Sequence, residues 1–481
     1  MKKPLRTALV AMLAVVLITV AWPSNRIQAQ SPVTVRVFVG LGTGDHPEQQ
    51  PLEDAVIKKF NDAHTDIQIK MDYNQNATAS SVLLTQLAGN NPPDVIGPIG
   101  IKGIYQLGDN IQDLSSLITR DTAALKLDEY DPATLKLYTD TGGKTTALSL
   151  GIYPSVLWVN EDAFKAAEIP LPPTEFGAMY TDKDGKQVVW DWAELAKVAT
   201  LLTQDKAGKF ADEAGFDPKT VVTYGYDDEW LSLRNAFAHF APPDAGVTAD
   251  GKPDFNNSVY LAAAQWYHDA IFKDHFYPDT ASATALNQGA AGPFASGHYG
   301  MWFSQSWNLC CVPTTAVKFK WNWYAAPSAP GSDGKTIVAP MHADTFVIVK
   351  QADKAKIEAS WKVLQFLVSA EASGPLCQIY GCMPARKNAR SDWEKGTLAT
   401  YPWLNVKVVY EAANYLDSPN NESFMPNYNE ADAANAQTMS ALHSDPNLDV
   451  KTALDNLNTL EAGIFAGGKA PVPTPVPTAA K

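Results

Sequence analysis

The chain has few cysteines, more acidic than basic side chains, and no long hydrophobic run beyond its N-terminus. Its 4 cysteines begin at Cys310, so no lipobox cysteine lies near the N-terminus. With 38 basic against 52 acidic residues the formal net charge is −14. No Lys/Arg cluster interrupts that field, which argues against nucleic acid as a partner. After the N-terminal run, no segment is long enough to span a bilayer.

Signatures of catalysis are also missing. The eight histidines form no His-Glu-x-x-His and no compact cluster, and no G-x-S-x-G is present. Gly40 and Gly42 begin a phosphate-loop pattern, but Asp45 stands where that pattern needs its third glycine and would repel phosphate. The sequence thus predicts no catalytic residue, no metal and no cofactor. A secreted glycoside hydrolase or lyase remains an alternative, because two acids that meet only in the fold leave no sequence signal.

The two ends of the chain predict an exported protein. Residues 1–29 have the pattern of a secretory signal: a basic start, an apolar run from Ala8 to Trp22, and a cleavage site after Ala29. A retained membrane anchor is the alternative, although the run is shorter than a spanning helix. Cleavage would remove four basic residues and change the net charge to about −18. Residues 466–481 form a Pro-rich flexible tail, either a disordered end or a spacer to the cell surface.

The cysteines form two close pairs, which suits an oxidising compartment. The local pairing joins Cys377 with Cys382, and a vicinal Cys310–Cys311 bridge is a second, more strained candidate. Reduced, packed thiols are the alternative for either pair. Four residues separate Cys377 from Cys382, so the C-x-x-C spacing of redox and zinc sites is absent.

Length and periodicity predict a two-lobed α/β protein. A chain of 481 residues exceeds the usual size of one domain. Alternating valines at 33–39, helical spacing from Leu52 to Phe60 and alternation at 67–73 predict a parallel βαβ unit. A short helix at 81–87 and a strand at 95–97 continue the pattern. Because open α/β sheets bind ligands beyond the carboxyl ends of their strands, the glycine loop at 40–44 is a candidate binding loop.

Five stretches of the mature chain carry a family resemblance. They are 144–164 (KTTALSLGIYPSVLWVNEDAF), 166–173 with 190–195, 294–302, 306–307, and 359–371 with 381–386. In this order they resemble segments of family 1 extracellular solute-binding proteins, the maltose-binding-protein-like sugar receptors of ABC transporters. The match covers nearly the whole mature chain. Residues 180–189 are an insertion that we expect to form a surface hairpin, and Glu161 replaces a basic residue of the family pattern.

The resemblance implies a periplasmic-binding-protein fold of type II, with two discontinuous lobes joined by hinge segments and a ligand cleft between them. One lobe would comprise 31–149 and 338–392, and the other 150–337 and 393–465. The protein would bind a sugar or oligosaccharide and deliver it, as a monomer, to the permease subunits of an ABC importer. It would work in the periplasm or at the cell surface. A non-sugar solute, such as a peptide, polyamine or glycerol phosphate, is the alternative.

Tryptophan supports the sugar hypothesis, because flat aromatic rings suit the C–H faces of sugars and fixed polar groups suit their hydroxyls. The chain has 13 tryptophans, and several cluster between 302 and 323. The run 227–229 (DDE) is interpreted as the first turn of a helix in front of Trp230. His342, Ala343 and Asp344 are interpreted as a loop before a strand at 345–349. The predicted ligand-binding residues are Trp307, Trp230, Trp302, Tyr153, Trp158, Thr43, Asp45, Asp344, His342 and Trp323.

Overall fold

The computed structural model describes residues 31–100, 103–104, 107–139, 143–229, 237–240, 246–248, 250–287, 292–311, 317–416 and 425–467. The predicted signal peptide, residues 468–481 of the tail, and Trp230 lie outside these ranges. None of the described helices is long and apolar enough to cross a membrane.

The N-terminal βαβ unit predicted from periodicity is confirmed. Strand β1 spans Val33–Val39, helix α1 Gln50–Ala63 and strand β2 Ile67–Tyr73. β1 and β2 pair in parallel over their full length, from Val33 opposite Ile67 to Val39 opposite Tyr73. Helix α2, Asn76–Ala88, begins five residues before the predicted start, and β3, Val95–Gly100, pairs in parallel with β1. Val56, Ile57 and Phe60 of α1 are buried because they recur at helical spacing, whereas Leu52, which begins the predicted stripe, is 56% exposed.

Nine further strands follow among the described residues. They are β4 Ser149–Asn160, β5 Met179–Thr181, β6 Gln187–Val189, β7 Gln204–Asp205, β8 Val221–Asp228, β9 Tyr299–Gln305, β10 Trp321–Tyr324, β11 Met341–Ile348 and β12 Met383–Pro384. Within the described residues, ten strands form one mixed sheet in the order β2-β1-β3-β11-β4-β9-β8-β7, with β10 and β12 also paired to β4. β5 and β6 pair with each other as the hairpin expected of the insertion.

The other α-helices of the described residues lie between and after these strands. They are α3 Ser115–Arg120, α4 Thr122–Leu125, α5 Pro132–Lys136, α6 Glu161–Ala166, α7 Trp192–Leu202, α8 Ser258–Phe272, α9 Thr280–Leu286, α10 Asn308–Cys311, α11 Lys354–Leu367, α12 Ala370–Tyr380, α13 Arg390–Thr400, α14 Lys407–Ala412, α15 Tyr428–Leu442 and α16 Val450–Phe465. Several begin at a polar side chain that accepts from a free backbone amide. Asp191, for example, accepts from the amide of Glu194, 2.9 Å away, at the start of α7.

Strand β4 is the longest of the described strands and joins two parts of the sheet. Its first half, up to Pro154, pairs with β11, while residues 155–159 pair with β9. All twelve of its residues are buried, because strands lie on both edges and side chains cover both faces. One strand therefore carries side chains into two regions of the protein.

The buried apolar side chains of the described residues form two clusters. The first packs around β1–β3 and β11 and includes residues of α11–α14. The second packs around α7, α8, α15 and α16. Two separate clusters and a strand that contributes to both are features of the two-lobed α/β fold. The expected lobe boundary at residue 393 does not coincide with the boundary between the clusters, because Trp393 and the buried residues of α14 pack in the first one. The exact division into lobes stays a prediction.

The predicted disulfide between Cys377 and Cys382 is present, and it is completely buried. It closes the end of α12 and packs against β4. A Cβ atom built on Gly151 would lie only 2.3 Å from the Sγ of Cys382 and 2.5 Å from that of Cys377. Only glycine lets the strand pass this close to the bridge. The side chains of the other candidate pair, Cys310 and Cys311, are outside the described part of the structure.

Two local interpretations of the sequence are wrong. Asp227 and Asp228 end strand β8 instead of beginning a helix, because Val221–Tyr226 has a β-branched and aromatic pattern that extends the strand and pairs it in parallel with β9. His342 and Asp344 lie within β11, which begins at Met341 and not at Thr345, because residues 341–344 pair with β4.

Candidate functional site

The first part of the candidate site is a buried carboxyl group, Asp344, on β11 where that strand pairs with β4. The hydroxyl of Tyr153 donates to its Oδ2 at 3.0 Å, and the hydroxyl of Thr43, in the loop after β1, lies 3.3 Å from the same oxygen. Burial raises the pKa of Asp344 to about 6, and the hydrogen bonds from Tyr153 and Thr43 oppose that rise. The predicted residues Thr43, Tyr153 and Asp344 thus meet in space.

The second part is a set of aromatic rings beside this carboxyl group. Tyr153 and His342 are directly opposite each other on β4 and β11. The half-buried ring of Trp307 contacts both: its centroid lies 5.4 Å from that of Tyr153 and 5.1 Å from that of His342, each in an edge-to-face arrangement. Trp307 lies just beyond the end of β9. Three predicted aromatic residues therefore form one group.

The third part is Glu229, which directly follows β8. Its Oε1 accepts from the indole Nε1 of Trp307 at 2.9 Å, and its Oε2 accepts from the side-chain amide Nδ2 of Asn308 at 2.8 Å. The hydroxyl of Ser304 donates to the same Oε2. Burial raises the pKa of Glu229, and these three donors counteract the rise. The carboxyl group is therefore held firmly among neutral donors.

These parts form a continuous line of contacts from the loop after β1, through β11 and β4, to the ends of β8 and β9. Flat rings offer apolar faces, while carboxyl and hydroxyl oxygens offer hydrogen-bond acceptors. Such a group can hold a neutral, hydroxyl-rich ligand.

Not all predicted residues join this group. Trp158, Trp302 and Trp323, which we expected to contact ligand, are at most 1% exposed. They pack around one another with ring centroids 5.4–5.7 Å from Trp158, because they project from the interiors of paired strands. Their placement is that of core residues. Asp45 has its Oδ2 3.0 Å from the backbone amide of Asn76, at the start of α2, and so is engaged within the protein.

Sequence reasoning missed Glu229, Ser304 and Asn308 as parts of the site. The interpretation of 227–229 as a helix start concealed Glu229. A signal was present, since parallel strands β8 and β9 end side by side and their following residues must lie close together. Ser304 and Asn308 flank Trp307 and could have been found once the end of β9 was placed.

A cavity of about 260 Å³ lies next to this group, between α1, α12 and α13. Leu309, Gly381, Trp393 and Tyr401 are among its lining residues. A Cβ on Gly381 would lie 2.9 Å from the carbonyl oxygen of Trp307, so the cavity adjoins the backbone of the site tryptophan. It contains none of the predicted ligand residues. No group of three or more His, Cys, Asp or Glu side chains within the described ranges is arranged to hold a metal ion.

An α/β sheet whose central strand is shared by two cores, with aromatic rings and fixed acceptors gathered beside that strand, defines a solute receptor of the two-lobed type. A family comparison agrees with this class. The chain belongs to the bacterial extracellular solute-binding protein family, whose model matches residues 43–373.

Solved structures show the same two-lobed fold. The chain resembles the ABC substrate-binding protein Lmo0181 from Listeria monocytogenes, solved with cycloalternan, at 16% identity and a TM-score of 0.68 over 91% of this chain and 99% of that one. The cyclic alpha-maltosyl-1,6-maltose binding protein from Arthrobacter globiformis is 18% identical, with a TM-score of 0.68 over 91% of this chain and 100% of that one. UgpB from Mycobacterium tuberculosis, solved with glycerophosphocholine, is 15% identical, with a TM-score of 0.67 over 91% of this chain and 99% of that one. At these identities the likeness establishes the fold.

A curated relative is an uncharacterized lipoprotein in the oleD 5′ region of Streptomyces antibioticus. It is 26% identical over 208 residues, which are 41% of this chain. The aligned part spans 40% of that relative's own length.

Proposed function

We propose that this solute-binding protein captures a sugar or oligosaccharide beside Trp307 and delivers it to the permease subunits of an ABC importer. The observation that carries the proposal is the group formed by Trp307, Tyr153 and His342 next to the carboxyl groups of Asp344 and Glu229. Ring faces suit sugar C–H surfaces, the oxygens of Asp344 suit sugar hydroxyls, and Glu229 accepts from the indole of Trp307. The carbohydrates bound by two of the structural relatives support this choice.

Capture would proceed by hinge closure around β4 and β11. In this mechanism the ligand first contacts one lobe, and contacts from the other lobe stabilise the closed form, so that binding shifts the population of conformations. Tyr153 and Asp344 lie on the two strands that would bend. We further propose that the protein acts after export, as a monomer, at the periplasmic face or cell surface.

The test is a titration of the exported protein, produced without residues 1–29, with a ligand panel followed by intrinsic fluorescence and calorimetry. The panel contains linear and cyclic glucooligosaccharides, monosaccharides, polyols, glycerophosphocholine, polyamines and short peptides. We expect saturable binding of at least one carbohydrate. Binding only of amines, peptides or glycerophosphocholine would overturn the sugar proposal, and hydrolysis of an added glycan would show an enzyme instead.

A further inference from the structure

Glu229 is an unusual residue in its surroundings. It is a carboxyl group largely removed from solvent, and burial and hydrogen bonds, with no cation among them, act on it within the described part of the chain. Burying a carboxylate without a neighbouring cation is costly unless hydrogen bonds compensate. A cost of this kind is often borne at functional sites. The identity of its hydrogen-bond donors shows what this carboxyl group does.

All three side-chain donors come from one short segment, Ser304 to Asn308, at the end of β9. Glu229 itself directly follows β8, which pairs in parallel with β9 up to Asp228 opposite Phe303. The carboxyl group therefore ties the end of one strand to the end of its neighbour. Trp307 lies beyond the last strand residue, where the pairing of the sheet no longer fixes its side chain.

The indole of Trp307 is held from two sides. On one side its N–H donates to Glu229, and on the other its ring contacts Tyr153 and His342 at interplanar angles of 68° and 69°. A hydrogen bond from a ring N–H to a carboxyl oxygen is directional, so it fixes the direction of the N–H bond, and the ring contacts with Tyr153 and His342 restrict rotation about it. The side-chain amide of Asn308 also donates to the hydroxyl of Ser304 at 2.7 Å, so two of the donors to this carboxyl group are hydrogen-bonded to each other.

The carboxyl group has little capacity left for a ligand. A carboxylate has about four acceptor positions on its two oxygens. Oε2 already accepts from Ser304 and Asn308, and Oε1 accepts from Trp307. We propose that Glu229 is a positioning residue, which fixes the ring of Trp307 at the angle needed to stack on a sugar and does not itself bind the sugar. The inference rests on the proposed carbohydrate function only where it is tested by sugar binding, and a second test below needs no ligand.

The binding arm is a double-mutant cycle with the tightest carbohydrate from the panel. Glu229→Ala should weaken binding by about 10-fold in the otherwise native protein, on the scale of a displaced aromatic contact. In a Trp307→Ala background the same change should have no further effect. Glu229→Gln retains an acceptor for the indole and should recover most of the affinity. An equal loss from Glu229→Ala with and without Trp307 would overturn the proposal, since it would mean that Glu229 contacts the sugar directly.

The second arm needs no ligand, so it separates failure of this inference from failure of the proposed function. Indole N–H signals are recorded by NMR in protein with ¹⁵N-labelled tryptophan, and Trp307→Phe identifies the signal of Trp307 by its loss. Glu229→Ala should move that signal and speed its hydrogen exchange, while Glu229→Gln should keep the exchange slow. An unmoved, slowly exchanging Trp307 signal in Glu229→Ala would overturn the proposal even if no sugar bound.

A matched control is Glu161→Ala. Glu161 is also a carboxyl group that accepts from an aromatic residue, the hydroxyl of Tyr324 at 2.8 Å, but it lies at the start of α6 and outside the site. We expect this variant to leave both the affinity and the Trp307 signal unchanged. A similar loss of affinity in Glu161→Ala would show that the effect of Glu229→Ala is a general consequence of removing a carboxyl group.

Discussion

Two groups of tryptophans in this protein contrast in position and in chemistry. Trp158, Trp302 and Trp323 project from strand interiors, are almost fully buried, and have indole N–H groups without a hydrogen-bond partner in the described structure. Trp307 lies past a strand end, is half-buried, and donates its N–H to a carboxyl group. The tryptophans of the first group are part of the hydrophobic core. The second is an oriented side chain.

The contrast teaches that the number of tryptophans does not measure the size of a binding site. Residues in paired strand interiors are covered on both faces by neighbouring side chains, and their large apolar area stabilises the fold. A tryptophan at a strand end loses that cover, and a polar partner then fixes its direction. One strand, β4, contacts both groups, because its Tyr153 lies against Trp307 and its Trp158 belongs to the core. The two groups should therefore respond differently to mutation.

The largest effect is expected in the core group. Trp158 contacts Phe294, Trp302, Trp321 and Trp323, and its ring is stacked on Trp321 with a centroid separation of 5.1 Å. Replacing it with alanine removes all of this area and leaves a cavity. We expect Trp158→Ala to lower the free energy of unfolding by about 3–5 kcal/mol. Urea denaturation followed by far-UV circular dichroism measures the change.

Trp403 is the control for that variant. It is 47% exposed and contacts Trp321 only by its edge, at 6.2 Å. Trp403→Ala should lower the free energy of unfolding by no more than about 1 kcal/mol. Equal losses in the two variants would contradict the assignment of Trp158 to the core.

The next effect is a pH dependence of the free energy of unfolding, which is expected at the site because the site contains the buried carboxyl group of Asp344. Its raised pKa means that the folded state binds a proton more tightly than the unfolded state. The stability that it contributes is full below its ordinary value of 3.8 and is lost as the pH rises through about 6. Comparing native protein with Asp344→Asn, the difference in unfolding free energy should decline by about 2–3 kcal/mol between pH 4 and pH 7.

Other buried carboxyl groups do not obscure this measurement. Glu53, Asp228 and Glu461 also have raised pKa values, of about 8, 7 and 8, because they too are buried. They are present in both proteins, so their contributions largely cancel in the difference. Thermal or urea unfolding at several pH values provides the data. A difference that does not change with pH would mean that Asp344 is not held in the protonated form by the fold.

A smaller effect is expected where β4 passes the disulfide. Gly151→Ala would place a Cβ atom 2.3 Å from the Sγ of Cys382, so the strand or the bridge has to move. We expect a loss of about 1–3 kcal/mol in the free energy of unfolding, typical of overpacking. In a protein with both Cys377 and Cys382 replaced by alanine, the same substitution should cost clearly less. A cost that is unchanged without the sulfur atoms would rule out this contact as the cause.

Much of the fold could be predicted from local pattern. Alternating valines at β1 and helical spacing in α1 report directly which faces are buried, and the nearby Cys377 and Cys382 have few alternatives for pairing. Trp307 was predicted from the family pattern, whereas Thr43, Tyr153, His342 and Asp344 were predicted from their positions in loops or near the hinge, and only the structure shows that the five lie in one group. In contrast, burial of Trp158, Trp302 and Trp323 depends on which strands become neighbours.

Glu229 shows most clearly what the sequence could not reveal. An acidic run is compatible with a helix start or a strand end, and the difference is decided by pairing with β9, which is more than 70 residues away. The partners of a carboxyl group are a property of three-dimensional structure, and Ser304, Trp307 and Asn308 become its donors only through that pairing. Non-local contacts of this kind lie beyond periodicity and motif.

The most direct test of the whole account is calorimetric titration of the tightest carbohydrate into Trp307→Ala and, as the matched core variant, Trp158→Phe. We expect Trp307→Ala to weaken binding by about 1–3 kcal/mol, the scale of a lost stacking contact, while Trp158→Phe binds as the native protein does. Native affinity in Trp307→Ala, or equal losses in the two variants, would contradict the claim that the site is built around Trp307.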